Sequence, residues 1–305
     1  MAFWPAPLRL TIVAMPLLLL PHSQAIGQVG RYYINTPVDT HLFTMTFNGV
    51  RSATWADPAI GDDTIQSRNQ TVSLSYSYIT SINGRTGGFG VSLPWTSLLS
   101  YETDTDQVLV DEQDRGDIVL TFDYNLFGAP ALPRERFRQH TPGDYAGLHF
   151  ALTTPTGAYD SDSPVNIGAN RWALKSTLNY SITRNDGYSW WDFYPSVRVF
   201  TSNSDIAGGG TLRQQPMWGL EAHYSRNVAG SAWLSGGLIA SAGGRTSIDG
   251  ERVEDSRRSL RLAVGGGFPT WSGGAAIVTY QNEVLEDGGA SDIQHFMLQL
   301  MHKSR

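Results

Sequence analysis

Apolar and polar residues alternate with a period of two along several stretches of this chain. From Ile118 to Leu126, the residues Ile118, Leu120, Phe122, Tyr124 and Leu126 interleave with Val119, Thr121, Asp123 and Asn125, giving one apolar and one mostly polar face. The same pattern places Trp172, Leu174, Leu178, Tyr180 and Ile182 against Ala173, Lys175, Thr177, Asn179, Ser181 and Thr183, and Leu260, Leu262 and Val264 against Ser259, Arg261 and Ala263. Each stretch is about ten residues long, the length a tilted strand needs to cross a hydrocarbon layer, where a soluble sandwich strand is nearer five or six. Beyond the first segment, no apolar run is long enough for a membrane helix.

The fold class is therefore all-β, a transmembrane antiparallel up-and-down β-barrel of about 12 strands. Strands are predicted at 40–48, 71–82, 86–95, 117–126, 144–154, 171–183, 188–201, 215–226, 231–241, 258–268, 274–284 and 291–301. An even count puts both termini on the periplasmic side, so long outer connections should alternate with short inner turns. The long spans are 49–70, 96–116, 155–170, 202–214 and 242–257, and the tight turns hold Asn83-Gly84-Arg85, Arg184-Asn185-Asp186-Gly187, Asn227-Val228-Ala229-Gly230 and Pro269 to Gly273. Residues 127–143 break this rule, being long on the inner side, with Pro133 to Arg138 suited to a short amphipathic helix. Lipid satisfies no backbone N–H or C=O group, so strand 291–301 is expected to close on strand 40–48. Trp95, Tyr145, Trp172, Trp190, Trp191, Trp218, Trp233 and Trp271 fall near strand ends, where an interfacial aromatic belt is expected.

Residues 1–25 read as a cleaved secretory signal peptide and 26–305 as the outer-membrane barrel. Arg9 precedes an apolar core of about eleven residues, Leu10 to Leu20, well short of the roughly 20 that span a bilayer, and Ser23-Gln24-Ala25 supplies the small cleavage residues. The absence of cysteine excludes disulfides, thiolate metal sites and Cys nucleophiles. A net charge of −6, or −7 without Arg9, argues against nucleic acid as a partner. The expected partners are outer-membrane lipid and lipopolysaccharide, the barrel-assembly machinery and a small-molecule solute, with no cofactor and no metal.

From Gly116 onward the chain resembles an outer-membrane family described as "Putative MetA-pathway of phenol degradation". The matching stretches are GDIVLTFDYNLFGAPAL at 116–132, LTTPTGAYDSD at 152–162, VNIGANRWALKSTLNYS at 165–181, LEAHYSRNVAGSAWLS at 220–235 and GGRTSIDG at 243–250. Strand 71–82 with its Asn83-Gly84-Arg85 turn and the VSLPW segment at 91–95 looks like the family's opening hairpin. The resemblance implies a barrel that passes or binds small hydrophobic or aromatic molecules, with no catalytic residues to carry over. In one departure from the usual barrel ending on an aromatic residue, this chain runs past Phe296, Leu298 and Leu300 into His302-Lys303-Ser304-Arg305.

If Trp172, Leu174 and Leu178 face lipid, parity turns Arg171 and Lys175 into the lumen, and with them Asp123, Asp192, Arg198, Glu221, His223 and Arg261. Such charges suit a polar constriction that selects solutes, or an interior of mutually paired side chains. The functional expectation is a channel or transporter for small, aromatic or hydrophobic compounds working by passive diffusion, and not an enzyme. Two alternatives stand beside it. Glu221, His223 and Ser225 share one strand face, and a base beside a hydroxyl is the start of a lipid or ester hydrolase. A structural or surface-binding barrel without transport is the other. The run from Glu102 to Asp117 holds seven carboxylates and one Arg115, in a spacing unlike an EF-hand, and reads as a solvated outer loop. Glycine clusters at 208–210, 243–244 and 265–267 lack a phosphate-loop setting and read as turns or tight strand packing.

Overall fold

The computed structural model describes residues 28–55, 64–102, 106–163, 165–252, 257–287 and 293–304. The signal-peptide reading of 1–25 lies outside them. In chain order the elements are β1 (Thr40–Trp55), β2 (Thr64–Ile82), β3 (Arg85–Glu102), β4 (Val108–Arg115), β5 (Val119–Phe127), α1 (Arg134–Phe137), β6 (Tyr145–Thr153), β7 (Ala173–Arg184), β8 (Ser189–Phe200), β9 (Leu212–Gln214), β10 (Met217–Ala229), β11 (Ala232–Gly243), β12 (Thr246–Ile248), β13 (Glu251–Arg252), β14 (Arg257–Pro269), β15 (Gly274–Asp287) and β16 (Gln294–Ser304).

Twelve of these close a cylinder of antiparallel neighbours, β1-β2-β3-β5-β6-β7-β8-β10-β11-β14-β15-β16, and the last strand returns to the first. The closing seam runs from His41↔Ser304 to Arg51↔Gln294, so neither edge of the sheet is left without a partner. Lipid and lumen are the two solvents that sort the side chains. Leu262 and Val264 are 49% and 57% exposed on the outside, while the intervening Ala263 and the preceding Arg261 are 3% and 7% exposed. Leu74 and Val72 likewise face out while Thr71 is buried.

The structure corrects several boundaries. Strands β1, β2 and β3 run well into the expected loops 49–70 and 96–116, because beyond the hydrocarbon both faces of a strand meet water and the alternation that marks it in the sequence fades. Most of the expected acidic loop is β4, which pairs with β3 from Trp95↔Arg115 to Tyr101↔Val108. It continues the line of β5 along the same neighbour, broken at 116–118, where the Gly116 N–H donates to the Pro94 carbonyl at 2.9 Å. Outside the cylinder, β9, β12 and β13 make a small sheet of their own within the expected loops.

The aromatic belt is also divided. Trp172, Trp191, Trp218 and Trp271 are exposed at or beside strand ends, and Trp95 is exposed in the middle of the extended β3, but Tyr145 and Trp190 are 2% and 3% exposed and point inward. Trp233 turns inward as well, its ring 5.6 Å from the Arg31 guanidinium. Parity decides this: Trp190 shares the inner face with Asp192, and Trp191 does not.

Candidate functional site

Residues 28–39, which precede β1, do not lie beside the barrel. They enter its lumen and are held there by side chains from β8 and β10. The Gln28 N–H donates to Glu221 Oε2 at 2.6 Å and the Arg31 N–H to Asp192 Oδ2 at 2.8 Å. Arg31 Nε donates to Ser225 Oγ at 2.8 Å, Nη1 to Asn227 Oδ1 at 2.6 Å and Nη2 to the Tyr188 carbonyl at 3.2 Å. Its guanidinium also lies 5.4 Å from the Trp190 ring. Tyr33 packs against His149 and Tyr194 with ring centroids 5.0 and 4.9 Å apart, and its carbonyl accepts from the Tyr145 hydroxyl at 3.0 Å.

Small residues make room for this segment. A Cβ at Gly30 would lie 2.5 Å from Ser235 Oγ, and one at Gly265 would lie 2.8 Å from Val29 Cγ2. The 265–267 cluster is therefore close packing against the segment and Trp233. The glycines at 208–210 and 243–244 adopt positive φ, as turns do.

The long inner connection has a physical role here. Val38 N–H donates to the Leu132 carbonyl at 3.0 Å, so residues 128–144 tie down the segment where it leaves the lumen for β1. Within that connection α1 is a single turn with no buried residue, and Gly128 sits at φ +74 where a Cβ would fall 2.0 Å from the Asp144 carbonyl.

The eight charged residues singled out by parity fall into separate groups. Glu221 gathers the Lys175 ammonium at 3.8 Å and His223 Nε2 at 3.4 Å in addition to the Gln28 amide. Asp192, fully buried, accepts from Ser181 Oγ at 2.6 Å and from Arg31. Asp123 is paired with His149 at 2.6 Å on the β5–β6 wall. Arg261 donates to Gln281 at 3.3 Å. Arg198 lies opposite Lys175 in the β7–β8 register. Arg171, 3% exposed, stacks over the Phe200 ring at 4.7 Å and donates from Nη2 to Gln214 Oε1 at 2.5 Å. Burial pushes the Arg171 guanidinium down to about 10, although Asp117 and Tyr159 pull the other way.

The hydrolase arrangement is not assembled. Ser225 Oγ is taken by Arg31, and His223 Nδ1, which would have to face a partner, has none. At the outer end, Asp117 is not a solvated loop residue; it is 3% exposed and accepts from the Thr156, Gly157 and Ala169 amides. Arg31, Tyr33 and Tyr194 escaped the sequence reading, which places Tyr145 and Trp190 in the interfacial belt and not in the lumen. For Trp190 and Tyr194 the signal existed, since both share parity with Asp192; for 28–39 no periodicity marks the segment.

A family model described as "Putative MetA-pathway of phenol degradation" matches residues 48–275. Among solved structures, the COG4313 outer membrane channel of Pseudomonas putida F1 superposes with a TM-score of 0.76 at 18% identity, covering 92% of this chain and 100% of that one. The transport unit of the autotransporter AIDA-I from Escherichia coli aligns with a TM-score of 0.52 at 8% identity, covering 92% and 94% of the two chains. The β domain of the Bordetella autotransporter BrkA gives 0.52 at 11% identity, covering 87% and 99%. These likenesses show the fold of outer-membrane barrels. Curated proteins provide no match. On the extent of the family match, together with the closed barrel, this chain belongs to the outer-membrane family of the "Putative MetA-pathway of phenol degradation".

Proposed function

We propose that the barrel carries small aromatic or hydrophobic compounds across the outer membrane by passive diffusion, through a lumen narrowed by its own N-terminal segment. The observation that supports this reading is the state of the inner wall. Asn179 Nδ2, Thr279 Oγ1, His295 Nδ1 and Gln299 Oε1 are buried polar atoms with no hydrogen-bond partner among the described residues. A tightly packed scaffold would satisfy them internally, so they fit the polar, incompletely packed interior that a conduit for solutes needs. The rings of Tyr33, Tyr145, Trp190 and Tyr194 add apolar surface beside this polar wall. The reading includes export by a signal cleaved after residue 25, insertion by the barrel-assembly machinery and a surround of lipid and lipopolysaccharide.

Planar-bilayer recording of the purified barrel tests it. Discrete conductance steps that phenol blocks more strongly than an aliphatic alcohol of similar size are the expected result. A silent membrane, both for the intact chain and for one lacking residues 28–38, would refute transport and leave a structural barrel.

A further inference from the structure

The outward face of β1, β2 and β16 changes character along its length. Toward the end that holds the tight Asn83-Gly84 turn its positions are apolar, with Phe43, Met45 and Phe47 on β1, Tyr76, Leu74 and Val72 on β2 and Phe296 on β16. Toward the other end the same face carries Arg51 after Gly49 on β1, Gln70 and Arg68 on β2, and Gln294 on β16. The exposed Trp95 pairs with Val72 at this step. On the lipid-facing side of a barrel, such a step marks the level where hydrocarbon gives way to headgroups. The long connection between β6 and β7 lies at this end and the tight turns at the other, which makes it the outer leaflet.

Arg51 and Arg68 are direct cross-strand partners at this level, and both are exposed. The Cβ atoms of such partners stand about 5 Å apart, and like charges so placed repel. No carboxylate adjoins them along the row: Arg51 is bordered by Gln294 on β16 and Arg68 by Leu99 on β3, and the first acid reached is Asp111 on β4, one strand further. Neither arginine forms an ion pair with a described residue. Arg68 is held in place all the same. Its Nη2 donates to the Tyr101 hydroxyl at 3.2 Å, its guanidinium lies 5.5 Å from that ring, and Tyr101 donates in turn to Gln66 Oε1 at 2.7 Å. This anchorage uses a single N–H of the guanidinium fork and leaves the rest to the headgroup layer.

We propose that Arg51 and Arg68 together clamp a phosphate of lipopolysaccharide, the phosphorylated glycolipid of the outer leaflet, against the outer wall of the barrel. A phosphate monoester carries enough negative charge to offset two adjacent cations at once, and guanidinium forks match its oxygens bidentately. The apolar positions below, Phe47 and Val72, are themselves cross-strand partners and suit the acyl chains of the same molecule. The proposal rests on the reading that lipopolysaccharide surrounds the barrel, and it is independent of conduction.

Titration of the full detergent-solubilised chain with lipid A and with its dephosphorylated form tests it. Lipid A is expected to bind about tenfold more tightly. Arg51→Gln combined with Arg68→Gln should abolish that preference, and the corresponding pair of Lys substitutions should keep only part of it. Arg115→Gln, which removes an exposed cation opposite Trp95, should leave it unchanged. Heat-modifiable electrophoretic mobility reports whether each variant still forms the barrel, and Arg51→Gln alone serves should the double variant fail to fold. A phosphate preference that survives in the Gln variants, or that falls equally in Arg115→Gln, overturns the clamp. Phosphatidylglycerol binding as tightly as lipid A, or inorganic phosphate displacing lipid A at equal concentration, overturns the assignment to lipopolysaccharide. Membrane fractionation separates this failure from that of the underlying reading: a barrel in the outer membrane without phosphate preference sinks the clamp alone, and a barrel absent from that membrane sinks the surround.

Discussion

Arg31 anchors the segment that precedes β1 inside the lumen, so it tests whether that segment latches the proposed channel. Replacing it with alanine removes three side-chain hydrogen bonds, at 2.8, 2.6 and 3.2 Å, and two ring contacts, at 5.4 and 5.6 Å, while its backbone N–H still reaches Asp192. Bonds from a charged donor contribute about 1.5–3 kcal/mol each and cation–π contacts about 0.5–1 kcal/mol each. Against these stand the water the guanidinium regains on release and about 2 kcal/mol of side-chain freedom. A net loss of about 3 kcal/mol shifts the docked-to-released ratio of the segment by about 100-fold. In single-channel recording, Arg31→Ala should therefore show longer and larger open events than the parent, approaching a chain lacking residues 28–38, with the barrel equally resistant to heat in detergent. If the deletion opens the channel and Arg31→Ala behaves as the parent does, the guanidinium is not the latch and the segment is held by its tyrosines.

Leu262→Arg, on the lipid face, should cost about 2–4 kcal/mol of folding stability in vesicles, whereas its lumenal neighbour is an arginine already; equal refolding yields for Leu262→Arg and parent would contradict the assigned faces. Gly128→Ala forces a side chain onto positive φ and against the Asp144 carbonyl, so urea refolding should report a loss of about 2 kcal/mol or more. Asp117→Ala strips the acceptor from three amides at about 1–3 kcal/mol each, and proteolysis within 154–170 should accelerate while the barrel core stays protected; an unchanged cleavage rate would show the loop is held otherwise.

The amino-acid sequence by itself determined the barrel. Alternation such as Leu260-Arg261-Leu262-Ala263-Val264 is a local property, imposed two residues at a time by a wall with oil on one side and water on the other, so strand count and closure were legible in it. What fills the cylinder was decided only by the tertiary structure. Arg31 meets Asp192, Ser225 and Asn227 across sequence separations of 161, 194 and 196 residues, and no period within 28–39 encodes such partners. β4 escaped for a related reason: above the membrane both faces of a strand are wet, and a pattern that depends on two different solvents disappears where only one remains, while the strands of the outer sheet, two or three residues each, are too short to show a period.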